Sequence, residues 1–363
     1  MVRILWLSHR DIRHKRAGGV EKAIFEISKR LVNKGHTVTW HSVSDGLTSY
    51  EEVISGIKIE RSQNNILAHI MTPIVLKRLV PDVVIDDLGH AVPWFSERFY
   101  TKGTVSFWHL HKRSLKGQTS LAMNLILSGL ETFYPSIYRN YTFITESKSS
   151  EDDLRKLGIK ENRISVIPLG LNDSDFLDVK KSQVPKLVYF GGLRDYKRPW
   201  IPVYVIKEIR KSFPDSRLFI IGEGPSLPNL KKLVAEQELT DVVVFTGRLG
   251  EKDLKREVGS SWVNLHSSIT EGFGLSIIEA SALGTPTVAF SVPGVSEAVV
   301  NNENGLLAKN GDFNEYVKLT KEVVSSFSPD WISKSIKIAK NYSWDLSANS
   351  WEQHLKDVYA SSK

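Results

Sequence analysis

The sequence predicts an α/β protein made of two doubly wound domains in tandem. Three observations carry that prediction. Short apolar runs of strand length alternate with helix-like segments along the chain, which is the pattern of βαβ units on a parallel sheet. The alternation stops in a polar, lysine-rich stretch at residues 172–186, "NDSDFLDVKKSQVPK", and then restarts. The length of 363 residues suits two domains of ordinary size.

The first unit opens with the run "RILWLS" at residues 3–8, followed by a polar loop holding Gly18 and Gly19. Val20, Ala23, Ile24, Ile27 and Leu31 then fall on helical spacing, with Gly35 placed to end the helix. Further strands are expected at residues 36–43, 82–86, 104–109, 141–145 and 164–170. After the linker, strands are expected at 187–193, 217–225, 242–249, 262–268 and 286–294. They read as near-continuous apolar runs, as strands buried on both faces do. Several end in glycine (Gly191, Gly192, Gly222, Gly224, Gly247) at the sheet edge where such folds bind ligands. Tight turns alone would also account for any one of them.

Composition excludes several classes. Apolar residues make up 41% and charged residues 25%, which rules out a disordered chain. The absence of cysteine removes disulfides, a thiol nucleophile and thiolate metal sites. The formal net charge of +7 suits phosphorylated ligands, anionic lipid or nucleic acid without choosing among them. No zinc spacing or aromatic RNA motif supports nucleic acid. No secretory signal is read at the N-terminus, and the charge-free runs at 62–76 and 117–130 are shorter than the ~20 residues that span a bilayer. A cytoplasmic protein is expected, with peripheral contact at the cytoplasmic face of a membrane as an open alternative. Residues 111–141, which mix Lys112, Arg113 and Lys116 with Leu121, Met123, Leu125, Ile126 and Leu127, are the candidate membrane surface, and an ordinary core-facing helix is the competing reading.

The most informative segment is "HSSITEGFGLSIIEASALGTPTVAF" at residues 266–290. Gly272 and Gly274 free the backbone after Glu271, and a helix is expected from near Gly274 to Leu283, ended by Gly284. Amides at such a helix start favour phosphate. Glu271 stands before the helix and Glu279 within it, and two such carboxylates suit sugar hydroxyls.

This glutamate pair, with seven residues between, closely resembles the signature of the retaining family 4 glycosyltransferases. "GGVEKAIFEISKRLVNKGHTV", "FWH" at 107–109, "VIPLGLN", "IIGEGP", "VVFTGRL" and "PGVSEAVVNNENGLL" resemble segments of the same family in order. The resemblance implies the GT-B architecture, two Rossmann-like domains facing across a cleft. Residues 1–172 would form the acceptor-side domain and 173–342 the nucleotide-sugar domain. Residues 343–363 would form a helix crossing back onto the first domain.

The resemblance further implies a retaining hexosyl transfer from a nucleotide diphosphate sugar, UDP- or GDP-linked, to a glycan or lipid-linked acceptor, with no other cofactor. Catalytic residues would be His109, near the reacting carbon, Lys197, at the diphosphate, and Glu271, at the donor sugar. Gly19 would approach the donor diphosphate or acceptor. Glu223 and Gly224 would lie near the nucleobase and ribose, the amides of Gly272, Phe273, Gly274 and Leu275 at the phosphates, and Glu279 at the ribose hydroxyls. The family usually carries arginine where this chain has Gly192, and Arg194 is the candidate substitute. No metal site is expected, because no Asp-x-Asp ends a strand; Asp86 and Asp87 read as a solvated loop or a helix cap. A catalytically silent nucleotide or sugar binder, and a GT-B enzyme of another type such as a phosphorylase, are the alternatives.

Overall fold

The computed structural model describes residues 1–109 and 121–361. They form two compact units, one of residues 1–109, 121–170 and 343–361, the other of residues 171–342. The division falls between Gly170 and Leu171.

The first unit starts with β1 (Arg3–Leu7), α1 (Gly19–Asn33) and β2 (Thr37–Val43). Every residue of β1 but Arg3 is buried. Ala23, Ile24, Ile27 and Leu31 of α1 face the core, and Gly35, at φ +88°, turns the chain out of the helix. Next come β3 (Glu51–Ile54), β4 (Ile57–Ser62), α2 (Asn65–Leu79), β5 (Val83–Asp87) and β6 (Gly103–Ser106). After α3 (Leu121–Thr132) and α4 (Tyr134–Ile137) follow β7 (Thr142–Thr145), α5 (Lys148–Lys156) and β8 (Ile164–Val166). The sheet order is β3-β4-β2-β1-β5-β6-β7-β8. Among the described residues only the β3–β4 pair is antiparallel. Its turn, Ser55-Gly56, has both residues at positive φ, the two-residue geometry that matches strand twist.

The second unit runs β9 (Lys186–Phe190), α6 (Ile201–Arg210), β10 (Arg217–Ile221), α7 (Leu227–Glu236), β11 (Val243–Gly247), α8 (Glu251–Gly259) and β12 (Val263–His266). It continues with α9 (Leu275–Ala282), β13 (Thr287–Ser291), α10 (Val295–Ala298), β14 (Gly305–Lys309), α11 (Phe313–Ser325) and α12 (Pro329–Ala339). Its six parallel strands lie in the order β11-β10-β9-β12-β13-β14. That is the doubly wound 3-2-1-4-5-6 order, whose ligand crevice lies where the order reverses, here between β9 and β12. In the first unit the equivalent reversal lies between β1 and β5.

Helix α13 (Trp344–Ala360) returns the chain to the first unit. Trp351 packs on Trp6 with ring centroids 5.1 Å apart, and Glu352 accepts from Lys34 Nζ at 2.7 Å. The backbone of Trp344 crosses Gly170 so closely that a Cβ there would sit 2.1 Å from the Trp344 nitrogen. Among the described residues no helix is long and apolar enough to cross a membrane. The run at 62–76 is the end of β4 and most of α2.

Two expectations change. β6 ends at Ser106, so His109 stands three residues beyond the strand, not at its tip. The backbone from Phe107 onward is still fixed, because Phe107 N donates to Ile144 O at 2.9 Å and Ser150 Oγ to Trp108 O at 2.8 Å. Asp86 and Asp87 are fully buried rather than solvated. Donors arriving from distant loops hold them: Trp94 N, Ser96 N and Ser96 Oγ on Asp86, and Trp108 Nε1, Ser8 Oγ and Gly89 N on Asp87. Burial pushes their carboxyls up to about 6 and about 7, against those donors. The basic part of the candidate membrane surface, with His111, lies outside the described residues.

Candidate active site

The site is built at the reversal point of the second unit, on the loops that leave the neighbouring strands β9 and β12. After β9 the chain turns through Gly191, at φ +139°, and Gly192, then makes a single helical turn at Asp195–Lys197. After β12 it passes Ser267 and Ser268 to Glu271, and α9 starts at Leu275. The two loops are tied together. Ile269 N donates to Tyr196 O at 2.9 Å, and Ser267 Oγ donates to Lys197 O at 2.8 Å.

Lys197 Nζ meets Glu271 Oε1 at 2.9 Å. The same oxygen accepts from Ser268 Oγ at 2.6 Å and has His266 Nε2 at 3.4 Å. Burial alone would raise the Glu271 carboxyl, but the Lys197 ammonium, His266 and Ser268 hold it well below the usual carboxylate range. Burial pulls the Lys197 ammonium down, and Glu271, with Tyr196 and Tyr189, holds it well above its ordinary value. Both groups are therefore ionised across the neutral range. Glu271 is acceptor-only, with Oε1 already loaded.

Gly294, at φ +78°, underlies Glu271: a Cβ there would lie 2.2 Å from Glu271 O. Gly274 caps α9 in the left-handed region at φ +85°, and no side chain caps the helix. Ile277 N donates to Gly274 O at 2.8 Å, and the amides of Leu275 and Ser276 keep their donor capacity at the start of α9. Phe273 contributes backbone only, since its ring is buried 5.4 Å from Tyr342. Glu279 is the fifth residue of α9, about 6 Å along the axis from its start.

Arg194 precedes the Asp195 turn, and its side chain runs back past Gly192. Its Nε lies 3.8 Å from where a Cβ at Gly192 would stand. Glu223 and Gly224 follow β10. Gly224 is explained by packing, because a Cβ there would meet Leu193 O at 2.3 Å. The Glu223 carboxylate borders Gly247, 3.8 Å from where its Cβ would stand. Gly19 and His109 belong to the first unit, Gly19 as the first residue of α1 and His109 in the loop after β6. Among the described residues no group of three or more His, Asp or Glu is placed to hold a metal ion.

Sequence reasoning assigned no role to His266, Ser268 or Arg198. The first two were visible in "HSSITE", five and three residues before Glu271. Arg198 was not legible. It adopts φ +47°, rare for a side chain with a Cβ, and its guanidinium donates to Ser267 O at 2.6 Å and Ser268 O at 2.9 Å over the face of Phe290. It fixes the segment that delivers Ser268 to Glu271.

The family model described as Glycosyltransferase Family 4 matches residues 17–175, and that described as Glycosyl transferases group 1 matches residues 174–332. A human phosphatidylinositol N-acetylglucosaminyltransferase subunit is 22% identical over 323 residues, covering 80% of this chain and 63% of the relative. This chain thus spans less than two thirds of that relative's length. Sucrose-phosphate synthase from Thermosynechococcus elongatus superposes with a TM-score of 0.84 at 20% identity, covering 99% of each chain. Anabaena HepE in complex with UDP-glucose superposes with a TM-score of 0.77 at 16% identity, covering 98% of this chain and all of that one. The two family models together account for residues 17–332, each on one sheet-bearing part of the chain, and the chain belongs to the family 4 glycosyltransferases with the GT-B fold.

Proposed function

We propose that this glycosyltransferase moves a hexose from a UDP- or GDP-linked donor to an acceptor hydroxyl, with retention of configuration and without a metal ion. The observation that carries the reading is the Lys197–Glu271 pair beside the uncapped start of α9. Breaking the bond from sugar to phosphate leaves a nucleoside diphosphate, whose growing charge must be met by fixed donors. Lys197, Arg194 and the amides of Gly272 to Leu275 supply them. Glu279 accepts the ribose hydroxyls, Glu223 and Gly224 border the nucleobase and ribose, and Glu271 receives the donor sugar. The family resemblance assigns His109 to the reacting carbon and Gly19 to the donor diphosphate or the acceptor.

A retaining glycosidase uses two carboxyl groups ~5–5.5 Å apart, one as nucleophile. Glu271 is unsuited to attack, since Oε1 is held by three donors and the carboxylate is strongly stabilised as an anion. A same-face transfer through an oxocarbenium-like state fits better, the departing phosphate taking the acceptor proton. The UDP-glucose bound to HepE and the lipid acceptor in the name of the human relative support a nucleotide-sugar donor and a glycan or lipid-linked acceptor.

A thermal-shift panel of UDP-, GDP- and ADP-sugars tests the donor class. A ligand at about 100 Kd adds ~2.7 kcal/mol to the folded state. A shift from one base, lost in Glu279→Ala and Lys197→Ala, supports the reading; no shift from any sugar nucleotide counts against it. Product NMR that shows an inverted anomer removes retention, and activity abolished by a chelator and restored by Mg²⁺ removes metal independence.

A further inference from the structure

Strand β5 ends in two consecutive aspartates, Asp86 and Asp87, both fully buried. Neighbouring strand residues point to opposite faces of a sheet, so the two carboxylates serve different elements. Asp86 takes donors from Trp94 and Ser96. Asp87 takes donors that follow β1, β5 and β6. Ser8 Oγ lies 3.0 Å from its Oδ2, Gly89 N 3.2 Å from its Oδ1, and Trp108 Nε1 2.6 Å from the same Oδ1. Gly89 lets its loop close over the carboxylate, since a Cβ there would stand 3.0 Å from Asp87 Oδ2 and 3.0 Å from Val20 Cγ1.

Trp108 immediately precedes His109. β6 ends at Ser106, and the chain beyond it is held by Phe107 N on Ile144 O, by Ser150 Oγ on Trp108 O, and by the indole on Asp87. The first two bonds hold backbone. The third holds the Trp108 side chain, and of the three it alone ends on a titratable group. At 2.6 Å its length suits an ionised acceptor.

Burial pushes the Asp87 carboxyl up to about 7; Trp108 and Ser8 oppose this, Glu21 of α1 adds to it, and Gly89 N opposes it. Glu21 is itself buried, with Oε2 on Gly18 N at 2.7 Å and Oε1 3.8 Å from His90 Nε2. Ser8 lets the anchor survive either state of Asp87. Its Oγ lies 3.0 Å from Asp87 Oδ2 and 3.0 Å from Arg10 O, and a hydroxyl has one proton to give. With Asp87 ionised, Ser8 donates to the carboxylate. With Asp87 protonated on Oδ2, the carboxyl donates to Ser8 Oγ and the hydroxyl donates to Arg10 O. No buried donor is stranded, but the bond from Trp108 loses its charge assistance, which is worth about half its strength.

We propose that Asp87 is a positioning residue for the transfer: its carboxylate holds the Trp108 indole and so sets the loop that carries His109, and protonation of Asp87 slackens that hold. This rests on the transferase reading above, in which His109 is assigned to the reacting carbon. A carboxylate needed for packing alone would be replaced without loss by an amide of the same shape.

The test uses the full chain, Asp87→Asn, which copies the protonated shape, Trp108→Phe, which keeps a ring and removes the N–H, and the double variant. Turnover and donor affinity are measured from about pH 5 to about pH 9. Indole N–H signals are followed by NMR over the same range, that of Trp108 being the one Trp108→Phe lacks. Wild-type turnover should rise with pH through about 7, and the Trp108 indole signal should move with the same midpoint. At about pH 8 each single variant should lose about ten- to a hundredfold in turnover, with donor affinity unchanged and the acidic limb of the profile gone. The double variant should be no slower than the slower single. In Asp87→Asn the indole signal should stay still. Wild-type turnover in Asp87→Asn, losses that multiply in the double variant, an indole signal that does not titrate, or a parallel fall in donor affinity each overturns the proposal and leaves the transferase. A wild-type chain that transfers no sugar removes the transferase reading and the role of Asp87 with it.

Discussion

Removing both partners of the Lys197–Glu271 pair is expected to cost less than the sum of the two single removals. At 2.9 Å two unit charges interact by about 6 kcal/mol at an effective dielectric near 20, and by about 1.4 kcal/mol in bulk water. The side chains are 21% and 14% exposed, so solvent screens part of this. Breaking a buried pair typically costs ~3–5 kcal/mol, and the exposure places this one near 3. Lys197→Met keeps the alkyl stem and removes the charge; Glu271→Gln keeps the shape and removes the opposite charge. The double variant is expected to be more stable than the sum of the singles by about 2 kcal/mol, read from thermal unfolding at about 2–4 °C per kcal/mol for a domain of this size. The pH dependence gives a second signature. In the wild type the Glu271 carboxyl is held low, so its contribution is present above its unfolded value near 4.3 and is lost only in strong acid. In Lys197→Met the largest lowering influence is gone and burial dominates, so the penalty should grow as pH rises from about 4 to 7 and shrink in acid. Additivity within about 0.5 kcal/mol, or a penalty that does not vary with pH, would refute the reasoning.

Lys197→Ala should lose far more donor turnover than Arg194→Ala, on the order of 10²–10³-fold if Lys197 stabilises the departing phosphate; comparable losses would place Arg194 on equal footing. Gly294→Ala should destabilise the second unit and depress activity, because its Cβ would strike Glu271 O at 2.2 Å from a backbone at φ +78°; an unchanged melting temperature would show that the segment yields freely. Asp87→Asn should gain stability relative to wild type as pH rises from about 4 to 8. The raised carboxyl makes ionisation of Asp87 costly in the folded state, and asparagine has nothing to ionise. Parallel stability curves for the two proteins would remove that assignment.

The parallel strands and the helix after Glu271 were legible because each is written locally. Leu5, Trp6 and Leu7 in β1, and Val188 and Tyr189 in β9, are apolar runs with no polar interruption. The left-handed Gly274 cap stands one residue before the helix it starts. What escaped depends on partners far along the chain. β3 is polar and short, and becomes a strand only by pairing with β4. Asp86 and Asp87 look like a solvated strand exit until Trp94, Ser96 and Trp108 arrive to bond them. In the site, Lys197 and Glu271 were singled out separately, but nothing local says that they meet, because their loops lie side by side only through the β9–β12 pairing. Arg198 sits where backbone conformation favours glycine, and its use becomes visible only with Ser267 and Ser268 in place.

The ion pair constrains how the proposed transfer proceeds. Lys197 is the cation that the proposed reading sets at the departing diphosphate, and its charge is already matched by Glu271. In that reading a phosphate arriving at α9 meets helix amides before it meets an unshared ammonium. Glu271 loses little when Lys197 turns toward the phosphate, because Ser268 and His266 still hold Oε1. The Lys197 charge is then drawn to the phosphate in step with the negative charge that bond breaking creates. An interaction stronger in the transition state than in the ground state raises turnover rather than mere affinity. Ser268→Ala discriminates this from passive binding. With that donor gone, Glu271 depends more on Lys197, so turnover should fall while donor affinity stays near the wild-type value. A fall in affinity with turnover unchanged would mean that the pair serves binding alone.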